Sequence, residues 1–194
     1  IVRAVAPGRK IRRCSVRHVR GILFLDYVRM LKAHKSIDWG LPAEDTRYLD
    51  ERVDKDGWYP MASFERMGNA ILKHVAGNQM QAVYHWGRMS AAQLRAAHPM
   101  LLSDGDPVET VNRFRVLRAT YFDFEALSVP MLHDGEAQIV IHYYMGMPAE
   151  QAASLQTQGF FEGLLELARA KNIRSTFRET SWTGDPRTLL DLCW

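Results

Sequence analysis

Cysteine is scarce in this sequence: Cys14 and Cys193 are the only two in 194 residues. Two cysteines cannot build a disulfide framework, and no CxxC pair is present, which favours a reducing compartment. We therefore expect a cytoplasmic protein. Structural zinc requires four ligands, and Cys193 alone cannot supply them near the C-terminus. Neither a metal site nor a cofactor is expected.

Long apolar runs are missing as well, and the nearest candidate, residues 21–25, is interrupted by Asp26. A bilayer crossing needs roughly 18–20 apolar residues, so we predict no contact with a membrane.

The signatures GxSxG, GxxxxGK[ST], GxGxxG and HExxH are absent too. Glu125, Glu136 and Glu179 lie on separate predicted strands, and nothing in the sequence pairs them for acid–base chemistry. We therefore expect that the protein is not an enzyme.

Acidic residues are missing from the first twenty positions, although cations are frequent there: Arg3, Arg9, Lys10, Arg12, Arg13, Arg17 and Arg20. Clustered cations gain affinity for phosphates by releasing counterions, yet no aromatic residue lies among them to stack on bases. Two interpretations are open, an arm that binds nucleic acid or acidic lipid and a solvated extension. We predict a solvated basic arm over residues 1–15 and do not expect a nucleic-acid partner.

Apolar residues recur at helical spacing over residues 16–122, which we expect to form the helical part of one domain. The stripe that contains Ile22, Tyr27 and Met30 predicts a helix over about 17–33. Four more helices are expected: a short one after Pro42, one from Ser63 to Gly77, one from Met80 to His98-Pro99, and one that begins at Asp106-Pro107.

From Phe124 onward the apolar period changes to two, which is typical of strands. Asp134-Gly135 is a dipeptide that two-residue hairpin turns favour, and Pro130 predicts an edge strand because it cannot donate to a ladder. A long helix from Pro148 to about Asn172 and a closing hairpin, residues 173–194, follow. We therefore predict an α+β fold in which the sheet part, residues 123–194, forms one four-stranded antiparallel sheet (hairpin, long helix, hairpin) against the helical part.

Five segments carry a family resemblance through their order and spacing: VRGILFLDYVRML, WYPMASFERMGNAIL, GRMSAAQLR, DFEAL and ETSWTGDP…W. Together they resemble a myxobacterial paralogous family of uncharacterised proteins. Over about residues 16–194 the chain is more distantly similar to the 4-vinyl reductase domain and to the haem nitric-oxide/oxygen-binding fold. The resemblance implies the same α+β fold and the role of a small-molecule sensor domain in a regulator, without transferring a reaction.

The chain departs from these relatives at their metal and haem positions. In 4-vinyl reductase relatives the closing hairpin carries metal-binding cysteines, whereas Ser181 stands in the comparable strand here. Haem-binding relatives carry an axial His on a helix and a Tyr-x-Ser-x-Arg cluster for the propionates. The corresponding segment HYYMGMP has Tyr143 and Tyr144 without that Ser or Arg, and the helix that begins at Pro107 has no His. The resemblance therefore implies neither a metal nor haem.

Aromatic residues are expected to face one another between the two parts of the domain: Trp86, Phe114, Tyr121, Tyr143 and Phe161. They would either line an apolar cavity for a small ligand, with Tyr121 or Tyr143 as a polar handle, or simply fill a close-packed core. We predict a non-enzymatic sensory domain that binds a small apolar ligand and self-associates as a homodimer.

The competing hypothesis is a protein-interaction module in a signalling complex without a small ligand. Its contacts would be the Gly159/Gly163 face of the long helix, an unpaired sheet edge and the loop of Trp58 and Tyr59, since exposed aromatic residues anchor interfaces. The two hypotheses differ in one observable. An enclosed space of several hundred Å³ favours the sensor, and a filled core favours the interaction module.

Overall fold

The structure is a computed structural model, and it describes residues 16–34 and 36–194. The predicted basic arm, residues 1–15, lies outside the described residues. The helices are α1 (Gly21–Ala33), α2 (Ala43–Asp50), α3 (Met61–His74), α4 (Met80–Ala97), α5 (Pro107–Arg118) and α6 (Ala149–Leu167). The strands are β1 (His18–Arg20), β2 (Trp58–Pro60), β3 (Leu127–His133), β4 (Glu136–Ile141), β5 (Arg174–Glu179) and β6 (Thr188–Cys193). None of these described helices is long and apolar enough to cross a membrane.

Two short strands precede the helices that they support, and the sequence did not predict them. β1 pairs antiparallel with β2, so the first helix begins at Gly21 rather than near residue 17. Gly21 is required there because a Cβ would lie 1.9 Å from the carbonyl oxygen of Asp54. Tyr59 is not an exposed loop residue as expected: its ring stacks on Phe24 at 4.6 Å between centroids. Trp58 does stay 44% exposed.

The ends of three helices show which local signals were decisive. α5 begins at Pro107 as predicted, and the Asp106 side chain accepts a hydrogen bond from the Glu109 amide. α3 begins at Met61, so Ser63 lies buried inside the helix and does not cap it. α6 ends at Leu167, several residues before the predicted end, because the backbone turns to positive φ at Arg169.

The prediction of a four-stranded antiparallel sheet is confirmed, with the strand order β3-β4-β6-β5. β3 is an edge strand, and its register shifts between Ser128 and Met131, around Pro130. In the closing turn, Gly184 adopts a φ of 109° and Asp185 accepts a hydrogen bond from the Thr180 amide at 2.7 Å. Buried residues of β4 and β6 pack in the main core together with buried residues of α6: Ile139, Ile141, Leu190, Leu192, Phe161, Leu164 and Leu165.

Helices α4 and α6 touch backbone to backbone. A Cβ at Gly87 would lie 2.0 Å from the Gln156 carbonyl oxygen, and a Cβ at Gly159 would lie 2.1 Å from the Tyr84 carbonyl oxygen. Gly163 meets the Arg88 carbonyl oxygen in the same way, at 2.7 Å. The close approach expected at Gly159 and Gly163 is therefore made by α4 of the same chain. Because α4 covers this face, the earlier assignment of both glycines to an interface with another protein is corrected.

This contact predicts that Gly159→Ala destabilises the protein by about 1–3 kcal/mol, since the new methyl group would push α4 away. Gly68→Ala on α3 is the matched control, because its Cβ would meet the side chain of Tyr27 at 3.2 Å rather than a backbone. We expect the control to change the free energy of unfolding by less than about 1 kcal/mol. Denaturant unfolding measures both values. Equal stability of Gly159→Ala and the wild type would contradict the close helix contact.

Candidate ligand cavity

A cavity of about 550 Å³ lies within the helical part of the fold. α1 and α3 line one side and α4 and α6 the other, while α5 and the residues after β4 close one end. The exposed residues of its wall are Ile22 and Asp26 on α1 and Met89, Gln93 and Ala97 on α4. The opening to solvent therefore lies between α1 and α4.

The structure brings four of the five aromatic residues singled out in the sequence to this cavity. Trp86, Phe114, Tyr121 and Tyr143 all lie on its wall. Phe161 does not, because it is fully buried and meets Phe114 edge to face at 5.3 Å between ring centroids. Four of the five aromatic residues thus lie where the cavity hypothesis predicts, whereas Phe161 fills the core.

Tyr143 is the centre of a polar chain at the closed end of the cavity. The Thr157 hydroxyl donates to the Ala153 carbonyl oxygen at 2.9 Å, so its oxygen is free to accept from the Tyr143 hydroxyl at 3.0 Å. The Tyr143 oxygen in turn accepts a hydrogen bond from Arg118 Nη2 at 2.6 Å. Tyr121, the other predicted handle, bonds His98 Nε2 at 2.9 Å.

Arg118 is a site residue that the sequence did not reveal. Its guanidinium lies 4.2 Å from the ring centroid of Phe122, and its Nε is buried without a hydrogen-bond partner among the residues that the structure describes. Asn69 Oδ1, on the same wall, is also buried and unpartnered within the described residues. The sequence indicates only that Arg118 is a basic residue in the last turn of a helix, where its charge complements the helix dipole. No local signal separated it from Arg115.

The segment that follows β4, residues 142–148, is held from outside the cavity. Arg17 donates to the carbonyl oxygens of Tyr143 and Tyr144. The buried carboxylate of Glu150 accepts from the Met145 amide at 2.6 Å and from the Ser181 hydroxyl at 3.0 Å. One end of the cavity is thereby connected to the N-terminal strand and to the closing hairpin.

At the closing hairpin, Ser181 occupies the position where 4-vinyl reductase relatives carry a metal-binding cysteine. Ser181 Oγ is occupied by Glu150 and by Thr188 Oγ1, which lies at 2.7 Å. In the described part of the chain, no group of three or more His, Cys, Asp or Glu side chains is arranged to hold a metal ion. Hydrogen bonds within the chain therefore engage the Ser181 hydroxyl at this hairpin.

Comparison with known proteins identifies solved structures with a similar fold. The chain is similar to an H-NOX protein from S. oneidensis in the Fe(II)NO ligation state, with a TM-score of 0.60 and 12% identity over 89% of this chain and 97% of that one. It is also similar to a mutant of an Fe(II) unliganded H-NOX protein from K. algicida, with a TM-score of 0.57 and 12% identity over 90% and 95%. No protein-family model and no curated protein matches the chain.

These likenesses support the haem nitric-oxide/oxygen-binding resemblance at the level of the fold. The likeness to the myxobacterial family and to the 4-vinyl reductase domain stays a prediction.

Haem is the group that this fold implies, and the residues of the cavity do not fit it. Among the described residues, His98 is the only histidine on the wall, and its Nε2 is held by Tyr121. The partnerless polar atoms, Arg118 Nε and Asn69 Oδ1, are not axial ligands of haem iron. Tyrosine can also hold haem iron, but the hydroxyls of Tyr121 and Tyr143 on the wall are already engaged in hydrogen bonds.

Tyr27, on the α1 side of the cavity, gives a prediction about pH. Burial disfavours the phenolate and raises the pKa of Tyr27 from 10.0 to about 12, with Tyr143 raising the pKa further and Arg118 lowering it. The folded state thus keeps the phenol proton more tightly than the unfolded chain. The stabilising effect is full below pH 10.0 and is lost as the pH rises through about 12.

We expect Tyr27→Phe to flatten the loss of stability in this pH window. Tyr144→Phe is the control, because Tyr144 is 58% exposed. Denaturant unfolding over a series of alkaline pH values measures the effect. The same decline in the wild type and in Tyr27→Phe would show that Tyr27 is not buried against the cavity.

Proposed function

We propose that this protein is a non-enzymatic sensory domain that binds one small apolar molecule in the cavity between α1–α3 and α4–α6. The observation that carries the proposal is the volume of about 550 Å³, which lies in the range of ligand sites rather than of packing defects. Aromatic rings with a few polar handles are the usual lining of such sites. The similarity to H-NOX structures supports a ligand-binding fold.

The two acidic side chains that are buried among the described residues are occupied within the fold, which supports binding rather than catalysis. Asp45 is fully buried and accepts from Arg66 at 2.9 Å. Glu150 is equally occupied by the Met145 amide and the Ser181 hydroxyl. These two carboxylates hold the fold together and are not free for general acid–base chemistry.

Signal output follows from the contacts of Tyr143. A ligand that touches the Tyr143 side chain acts on the segment whose backbone Arg17 holds. Because Arg17 directly precedes β1, a shift of this segment would reach the N-terminal end of the domain. Self-association as a dimer belongs to the same proposal, and the N-terminal end is one surface through which it would respond.

The second candidate is an interaction module without a small ligand. Trp58 favours it, because this residue is 44% exposed beneath the guanidinium of Arg20, which lies 4.6 Å from its ring. The edge strand β3 provides a second surface of this kind. A cavity that binds nothing would leave this role as the better account.

Native mass spectrometry of the purified protein tests the proposal. We expect one small organic molecule per chain, no metal and no haem, together with the subunit number. Ala153→Phe, which fills the cavity from α6, should abolish ligand binding. Ala92→Phe, on the exposed side of α4, should leave ligand binding intact.

Two outcomes would contradict the proposal. Absence of a bound molecule, with no binding of an added apolar probe such as 1-octanol, would favour the interaction module. A stoichiometric haem absorbance band that is lost in His98→Ala would show that the cavity takes haem after all.

A further inference from the structure

The chemistry of the cavity wall also indicates the class of ligand, on the premise that the proposed function holds. We infer that the ligand carries an acidic head group, of the carboxylate class, on an apolar body. Arg118 binds the head group, and the apolar part of the cavity takes the body. The inference depends on three observations. Arg118 has no carboxylate partner among the described residues, its guanidinium has unused N–H groups, and neighbouring residues hold the guanidinium in place.

Arg118 is the only lysine or arginine that the described residues place on the wall, and they give it no carboxylate partner. The acidic residues on the wall are Asp26 and Glu65. Asp26 is exposed at the opening and pairs with Arg29 at 3.2 Å, and Glu65 accepts from the Gly146 amide at 3.3 Å. No salt bridge to Arg118 occurs among the residues described. Charged groups in such surroundings are normally paired.

The guanidinium has donors to spare. A guanidinium carries five N–H groups. One of those of Arg118, on Nη2, donates to the Tyr143 hydroxyl. Nε has no partner among the described residues, but it is also shielded from the open space, so the head group would meet the terminal nitrogens. A guanidinium with unused N–H groups matches the two oxygens of a carboxylate, and such charge-assisted pairs are stronger than neutral hydrogen bonds.

The surroundings hold the guanidinium in place before a ligand arrives. The ring of Phe122 lies against one face, and Tyr143 fixes Nη2 through the chain that continues to Thr157 and Ala153. Tyr121 and Tyr27 also lie near enough for the charge of Arg118 to oppose the upward shift of their pKa values. A cation that is already ordered loses little freedom on binding, which increases affinity.

Octanoate and 1-octanol are suitable probes, because they share an apolar chain and differ in the acidic head group. By isothermal titration calorimetry at neutral pH, we expect the wild type to bind octanoate more tightly than 1-octanol. Arg118→Gln should weaken octanoate binding about 10- to 100-fold, as expected for a lost hydrogen bond to a charged group. Binding of 1-octanol should change by less than about threefold.

Arg115→Gln is the matched control, because it removes the same charge from an exposed position of the same helix. It should leave both affinities unchanged. Arg118→Lys keeps the charge and should retain part of the preference for octanoate, which keeps the test informative if Arg118→Gln folds poorly. Thermal unfolding of each variant checks that the fold persists.

The outcomes separate this inference from the proposed function. Equal binding of both probes, or equal loss of both in a folded Arg118→Gln, would overturn the acidic head group and leave an apolar-ligand sensor. Binding of neither probe to the wild type would overturn both. A loss confined to octanoate, with the Arg115→Gln control unaffected, is the result that the inference predicts.

Discussion

The contact between the backbones of α4 and α6 is the constraint on which the rest of the structure depends. Three glycines bring the two helices together, and the carbonyl oxygens that they meet leave no room for a side chain. Since α6 also carries core residues that pack with the sheet, α4 is fixed relative to the sheet. α1 and α3 face this rigid pair from the other side of the cavity.

A second set of contacts connects the cavity with the remainder of the fold. Tyr143 presents its hydroxyl to Arg118 and Thr157, while its backbone carbonyl oxygen accepts from Arg17. Glu150 links the same segment to Ser181 in the closing turn. One residue thus meets both the cavity and Arg17, which directly precedes β1.

Local signals in the sequence predicted most of the fold and only part of the site. Asp106-Pro107 and Asp134-Gly135 each specify their own turn, so the helix and the hairpin there were predictable. Strand β1 was not, because three residues have no measurable period and their pairing with β2 is non-local. Arg118 was missed for the same kind of reason. Its position on the cavity wall involves a hydrogen bond to Tyr143, which lies in a distant part of the sequence.

Whether the cavity is an open apolar space is the central claim, and crystals of the protein exposed to xenon under pressure test it most directly. Xenon enters apolar cavities that are large enough and leaves filled cores empty. The account predicts a xenon site among Trp86, Phe114 and Tyr27, with these side chains unmoved. No xenon in this region, with α1 and α3 collapsed onto α4 and α6, would contradict the account.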